Sequence, residues 1–139
     1  MFTDNTMKLT KPRQFQIRNE IILLLGVDYD AVSMMRRTLE AVGFPVLIAD
    51  NDDQAADLFK SFNGAVRLLI IDVSLQDEGA LETIAALRQR NPTLKVIVAS
   101  KEVSPKEQHA IHIAGVIELI RKPVDKEQLL RVVSRIVEK

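Results

Sequence analysis

The sequence predicts an α/β domain with a doubly wound, five-stranded parallel sheet and five helices. Five short apolar runs alternate with five segments whose apolar residues recur every three or four positions, as buried strands and amphipathic helices do. The connections between them are short, and right-handed crossovers between parallel strands place helices on both faces of the sheet. A chain of 139 residues, 47% of them hydrophobic, can bury a single core.

The first predicted unit begins with a continuous apolar run, Ile21 to Leu25. No polar residues alternate with the apolar ones, which is typical of a strand buried on both faces. Helical spacing follows, and the helix is predicted to end at Gly43 because glycine favours the position after a helix. The residues expected on its buried face are Ala31, Met34, Met35, Leu39 and Val42.

The second unit has a strand at Val46 to Ala49 and a helix from Asp52 to Phe62. Asn51 is placed to cap that helix, since its side chain can accept a hydrogen bond from a free backbone N–H group. Asn63 and Gly64 then supply a turn. The sequence therefore predicts a second strand and helix of ordinary length.

The third unit has a strand from Val66 to Ile71 that ends on Asp72. Its helix runs from about Ala80 to Arg90, and Asn91-Pro92 ends it because the residue before a proline disfavours helical geometry. The residues expected to face inward are Leu81, Ile84, Ala85 and Leu87.

The last two units complete the alternation. The fourth strand is predicted at Val96 to Ala99, and Ser104-Pro105-Lys106-Glu107 starts the next helix with a capping hydroxyl, a proline and a glutamate. The fifth strand is predicted at Val116 to Ile120, and the last helix opens at Asp125. The expected buried residues of that helix are Leu129, Val132, Val133 and Ile136.

The chain divides into a loosely ordered N-terminal leader, residues 1–20, and one domain, residues 21–139. The leader lacks apolar periodicity and the parts of a secretory signal. Nineteen basic residues balance nineteen acidic ones, so no overall charge attracts nucleic acid or an anionic membrane. There is no cysteine, and the first apolar run is too short to span a bilayer. These features predict a cytoplasmic protein whose partners are proteins.

Three polar residues stand where predicted strands end: Asp72 after the third, Ser100 after the fourth and Lys122 after the fifth. In open α/β folds, ligands bind at this carboxyl edge of the sheet. A carboxylate can attack a phosphoryl group, an ammonium can neutralise its oxygens, and a hydroxyl can donate to one of them. The simpler interpretation, a loop-capping Asp72 paired with Lys122, is compatible with this one.

At these residues the chain resembles the receiver domain of bacterial response regulators, of the chemotaxis-regulator type, over residues 21 to 138. The resemblance rests on Asp72-Val73-Ser74-Leu75, Ser100 and Lys122-Pro123, with Gly43-Phe44 and Gly115 in register. It implies a flavodoxin-like fold and a cis Lys-Pro peptide bond. It also implies that Asp72 accepts a phosphoryl group, which Lys122 contacts and Ser100 moves to bind.

The resemblance further implies a signalling module that is not itself an enzyme. Its phosphoryl donor is expected to be a histidine kinase or a phosphotransfer protein, and its output a changed affinity for a downstream effector protein. A homodimer through the fourth and fifth helices is also expected. Leu119 stands where the family usually has an aromatic residue that signals phosphorylation, so any coupling must pass through a smaller side chain.

The chain departs from the family at the acidic pair that binds Mg²⁺ after the first strand. Counting back from Gly43 without gaps places Gly26 and Val27 at those positions, and neither side chain can bind a metal ion. Asp28 comes next, so the expected Mg²⁺ ligands are Asp72 and, with a one-residue shift of the loop, Asp28. Mg²⁺ sites usually use one or two carboxylates, and this loss predicts weakened binding.

Two functions therefore remain open. Asp72, Ser100 and Lys122 favour a phosphorylatable switch, whereas Gly26 and Val27 favour a pseudo-receiver, a constitutive protein-binding module without metal-dependent chemistry. A flavin enzyme of the same architecture is disfavoured, because the acidic loop after the first strand would repel the flavin phosphate.

Overall fold

The computed structural model describes residues 20–26, 28–62, 64–72, 78–101 and 103–137. Within these ranges five strands alternate with five helices, as predicted. The strands are β1 (Ile21–Gly26), β2 (Val46–Ala49), β3 (Val66–Asp72), β4 (Lys95–Ser100) and β5 (Glu118–Arg121). The helices are α1 (Tyr29–Ala41), α2 (Asp52–Phe62), α3 (Glu78–Arg90), α4 (Pro105–Ile113) and α5 (Lys126–Val137).

The five strands form one parallel sheet in the order β2-β1-β3-β4-β5. Because β2 lies on one side of β1 and β3 on the other, the sheet grows in both directions, which confirms the doubly wound prediction. The strand order reverses between β1 and β3, and such a point opens a crevice at the carboxyl ends of the strands. Gly26 and Asp72 are paired across it.

The sheet is buried on both faces, as the continuous apolar runs predict. On one face, Leu23 and Leu25 of β1 pack into a layer covered by α2, α3 and α4. On the other, Ile22 and Leu24 pack into a layer covered by α1 and α5. These four side chains are at most 3% exposed, so the central strands form a rigid base for the residues at their ends.

Side chains and glycines set the helix ends at the predicted positions. The Ser104 hydroxyl accepts from the Glu107 N–H at 3.1 Å, and the Glu107 carboxylate accepts from the Ser104 N–H at 2.8 Å. The Asn51 side chain accepts from the Gln54 N–H at 2.9 Å at the start of α2. Gly43 follows α1 with a φ of 100°, a conformation that glycine adopts without a steric penalty.

Three local predictions are wrong. Val42 is 41% exposed, because it is the C-cap of α1 and lies outside the helical period. Ala85 is exposed, whereas Thr83 is buried with its hydroxyl donating to the Gly79 carbonyl at 2.9 Å. Val116 lies in the turn that follows α4 rather than in a strand, since its N–H donates to the Ile111 carbonyl at 3.1 Å. The fifth strand therefore begins two residues later than predicted, at Glu118.

The predicted leader, residues 1–20, lies outside the described residues except for Glu20, and so does Asn63 of the predicted turn. Within the described ranges, no helix is both long enough and apolar enough to cross a membrane.

Candidate functional site

Asp72 is the last residue of the central strand β3. Its neighbours in the sheet are Gly26 on β1 and Ala99 on β4, and only 2% of the residue is exposed. Burial raises the pKa of the Asp72 carboxyl above its ordinary value, and the nearby Lys122 ammonium opposes that rise. A buried carboxylate of this kind requires a cationic partner to stay ionised.

Lys122 supplies that cation. It follows β5 directly, and its Nζ lies 2.7 Å from Oδ1 of Asp72. The peptide bond between Lys122 and Pro123 is cis, as the family resemblance implies. Burial disfavours the ammonium, but the carboxylates of Asp72 and Asp28 outweigh that effect and raise the pKa of Lys122. The lysine is therefore charged at neutral pH.

Asp28 lies beside the same lysine. It is the N-cap of α1, where its Oδ1 accepts from the Ala31 N–H at 3.2 Å. Its other oxygen, Oδ2, lies 3.3 Å from Lys122 Nζ. The hydrogen bond from the Ala31 N–H and then the one from Lys122 lower the pKa of Asp28. One ammonium thus bridges two carboxylates, one buried at a strand end and one half-exposed at a helix start.

Ser100, the third predicted site residue, is the last residue of β4 and is 3% exposed. Its carbonyl accepts from the Lys122 N–H at 3.0 Å, which fixes the end of β5 against β4. The structure therefore brings the three predicted strand-end residues to one edge of the sheet. The contact between Asp28 and Lys122 was not predicted, and the only local signal for Asp28 is an acidic residue immediately before a helix.

The arrangement combines one cation with two carboxylates, so the site has a net negative charge. Lys122 is the charged neighbour of the buried carboxylate and forms an ion pair with it. Among the described residues, neither oxygen of Asp72 has a hydrogen-bond partner, and Oδ1 is the one that forms the ion pair with Lys122. One carboxylate oxygen is thus held by the ammonium, while the other has the unshared electron pairs that a nucleophile needs.

A family model for the response regulator receiver domain matches residues 22–134. This range contains the site and all of the described sheet except its first residue, Ile21. The chain belongs to the receiver-domain family. Receiver domains are signalling modules of two-component systems.

Individual proteins agree with this assignment. Over 80 residues the receiver domain is 31% identical to the transcriptional regulatory protein CpxR of Escherichia coli strain K12, a match that covers 58% of this chain and 33% of CpxR. The chain therefore spans about a third of the length of that relative. A solved response regulator from Thermotoga maritima is 25% identical with a TM-score of 0.78, covering 86% of this chain and 98% of that one.

The chemotaxis protein CheY4 of Vibrio cholerae is 20% identical with a TM-score of 0.75, and the match covers 84% of this chain and 97% of that one. This likeness shows the fold alone. It is the flavodoxin-like receiver fold that the resemblance implies.

Receiver domains commonly bind Mg²⁺, but the described residues do not fit that ion. A Cβ at Gly26 would lie 2.9 Å from the backbone oxygen of Asp72 and 3.1 Å from Cγ2 of Val32, so the backbone leaves no room for an acidic side chain there. Asp28 and Asp72, the expected ligands, both have the Lys122 ammonium as a neighbour. Within the described ranges, no group of three or more histidines and acidic residues could hold a metal ion.

The close approach at Gly26 can be tested by substitution. We expect Gly26→Ala to lower the free energy of unfolding by about 1 to 3 kcal/mol, the usual range for overpacking a filled site. The nearest atoms belong to the backbone and Cβ of Asp72, which cannot turn aside as the end of a long side chain can. Urea unfolding followed by circular dichroism measures the change.

Gly64 provides the matched control, because nothing lies within 4 Å of the position of its missing Cβ. We expect Gly64→Ala to leave stability unchanged or to raise it by about 0.4 to 1 kcal/mol, since alanine restricts the unfolded chain. Equal losses in the two variants would show that the crowding at Gly26 is not the cause.

Proposed function

We propose that this receiver domain is a phosphorylatable switch in which Asp72 accepts a phosphoryl group. The observation that carries the proposal is the 2.7 Å contact between Lys122 Nζ and Oδ1 of the buried Asp72 carboxylate. A nucleophilic carboxylate and a cation for the transferred oxygens are thus already placed together at the edge of the sheet. Response regulators receive their phosphoryl groups from histidine kinases, so the donor is a phosphohistidine of a kinase or phosphotransfer protein.

In the transfer, an Asp72 carboxylate oxygen forms a bond to phosphorus while the bond from phosphorus to the histidine nitrogen breaks. The nitrogen keeps the electron pair and takes up a proton. Phosphoryl transfer depends mainly on positioning and charge stabilisation. Lys122 neutralises the phosphoryl oxygens as a point charge, and the Ser100 hydroxyl moves to donate to one of them.

Phosphorylation changes the charge at the carboxyl edge of the sheet. A phosphoryl group carries a charge of about −1.5 to −2, and a change of this size can reorganise contacts with neighbouring segments. Leu119 of β5 is half-buried and packs against the layer under α4, so coupling through this face depends on aliphatic packing. The output is a changed affinity for an effector protein.

The homodimer through the fourth and fifth helices stays a prediction. Two exposed isoleucines lie at the end of α4. Ile113 is the last residue of the helix and is 70% exposed, and Ile117 lies just beyond it and is 47% exposed. Apolar side chains of this kind favour contact with another protein surface over contact with water.

The second candidate function is a pseudo-receiver that binds a partner without phosphorylation. The crowded backbone at Gly26 favours it, because the position cannot carry the acidic residue of the family's metal site. Under this alternative the contact between Lys122 and Asp72 only stabilises the fold.

Phosphoryl transfer from a small donor separates the two functions. We expect the protein, incubated with acetyl phosphate, to gain the mass of one phosphoryl group, as measured by intact-protein mass spectrometry. Asp72→Asn is expected to abolish the gain, because an amide cannot act as the nucleophile. The measurement is made with Mg²⁺ and with a chelator, so that a failure caused by the missing metal is recognised.

Asp57→Asn serves as the matched control, since Asp57 is an exposed aspartate on α2. It is expected to gain the phosphoryl group like the unchanged protein. If the unchanged protein gains no mass from acetyl phosphate under either condition, the pseudo-receiver is the correct function. An undiminished gain in Asp72→Asn assigns the acceptor to another residue.

A further inference from the structure

We propose that Lys122, and not Mg²⁺, is the counter-ion of the resting site, and that Asp28 is the positioning residue that holds its ammonium in place. The proposal concerns the unphosphorylated protein. It therefore stands whether or not Asp72 is a phosphoryl acceptor.

The geometry around the ammonium is that of an internal cation. Nζ lies 2.7 Å from one oxygen of Asp72 and 3.3 Å from one oxygen of Asp28, and the Lys122 side chain is only 15% exposed. The base of the lysine is fixed as well, because its backbone N–H donates to the Ser100 carbonyl. The Lys122 side chain, which has many rotamers, is thus held both at its backbone and at its ammonium.

Asp28 can position the ammonium because its own place is fixed by α1. One of its oxygens accepts from the Ala31 N–H and caps the helix, and the other lies next to Lys122 Nζ. The carboxylate therefore joins the start of α1 to the residue that follows β5. If Asp28 lost its charge, Lys122 would have a single carboxylate partner, Asp72, and its side chain would regain rotamer freedom.

The same contacts oppose Mg²⁺ binding at the site of the unphosphorylated protein. Mg²⁺ requires near-octahedral oxygen ligands and gives up its water reluctantly. To reach Asp28 and Asp72 it would have to displace an ammonium that already bridges them. The bridged group has two negative charges and one positive, so about half of the attraction for a divalent ion is already offset. Gly26 cannot add a third carboxylate.

NMR detection of the lysine ammonium groups tests the proposal, with the Lys122 signal assigned by its loss in Lys122→Met. We expect the unchanged protein to show a Lys122 ammonium signal in slow exchange with water, and millimolar Mg²⁺ to leave it in place. Backbone amide signals at Gly26, Asp28 and Asp72 are expected to show no saturable shift with Mg²⁺. These readouts require neither a phosphoryl donor nor a functional assay.

Asp28→Asn tests the positioning role, since asparagine caps helices about as well as aspartate but carries no charge. We expect the exchange of the Lys122 ammonium with water to accelerate about threefold, in keeping with the loss of one partly exposed ion-pair partner. The helix signals of α1 are expected to stay unchanged. Asp57→Asn removes an exposed aspartate elsewhere and is expected to leave the exchange rate as it is.

Three results would each contradict one part of the proposal. A saturable Mg²⁺ shift that displaces the Lys122 signal would make Mg²⁺ the resting counter-ion. An unchanged exchange rate in Asp28→Asn would leave Asp28 as a helix cap only. A Lys122 ammonium in fast exchange in the unchanged protein would contradict the bridged geometry itself, because an ammonium paired with two carboxylates and largely covered is protected from water.

Discussion

Ile70→Ala is expected to lower the free energy of unfolding by about 2 to 5 kcal/mol, the range measured for removing a large aliphatic side chain from a protein core. Ile70 is fully buried in β3, paired with Leu24 on one side and Ile97 on the other. The loss belongs in the upper half of the range, because a position flanked by strands on both sides cannot collapse around the cavity. Domains of this size are stable by only about 5 to 15 kcal/mol.

Urea unfolding of the two proteins measures this effect, with the slope of the transition used to check that the unfolded state is unchanged. Arg67→Ala is the matched control, since Arg67 lies on the same strand with an exposed side chain. Its expected change is within about 0.5 kcal/mol. A loss below about 1 kcal/mol for Ile70→Ala would mean that the centre of the sheet is loosely packed.

The sheet could be predicted because burial on both faces leaves a direct record in the sequence. β1 is a continuous apolar run, β3 is apolar from Leu68 to Ile71, and both stretches are almost wholly buried in the structure. The end of β3 is marked just as plainly, because the run stops at a carboxylate. Strict alternation with helices then determines that the strands are parallel and that their carboxyl ends meet.

The wrong predictions of buried residues concern positions where burial does not follow the helical period. Val42 has the right spacing for the buried face of α1, but the helix has already ended at Ala41. Ala85 also has suitable spacing, yet α3 turns Thr83 inward, because the threonine hydroxyl can donate to a carbonyl one turn earlier. Thr83 therefore lies in the core, although threonine is a polar residue and its polarity suggests a surface position.

The site could be predicted only as far as topology determines it. Asp72, Ser100 and Lys122 each stand at or directly after the end of a strand, so their meeting is a consequence of the strand order. The contact between Asp28 and Lys122 joins residues 94 positions apart and depends on the lysine rotamer. The crowding at Gly26 depends on tenths of an ångström between two backbones. Neither feature produces a periodic pattern in the sequence from which it could be predicted.

Lys122→Met is expected to lower the free energy of unfolding by about 3 kcal/mol, the lower end of the cost of leaving a buried charge without its partner. The Asp72 side chain has no exposed area, so water cannot replace the ammonium. The value stays at the lower end because the carboxyl can take up a proton. Methionine keeps most of the length and apolar contact of the lysine stem, so the loss reports mainly the charge.

A double-mutant cycle identifies the cause of that loss. Asp72→Asn removes the buried charge, and combining it with Lys122→Met is expected to recover about 2 kcal/mol, the coupling typical of residues in direct contact. Lys126→Met, at an exposed position at the start of α5, is the control and is expected to change stability by no more than about 0.5 kcal/mol. If the double variant is as unstable as the sum of the single variants, Lys122 does not stabilise the fold through Asp72.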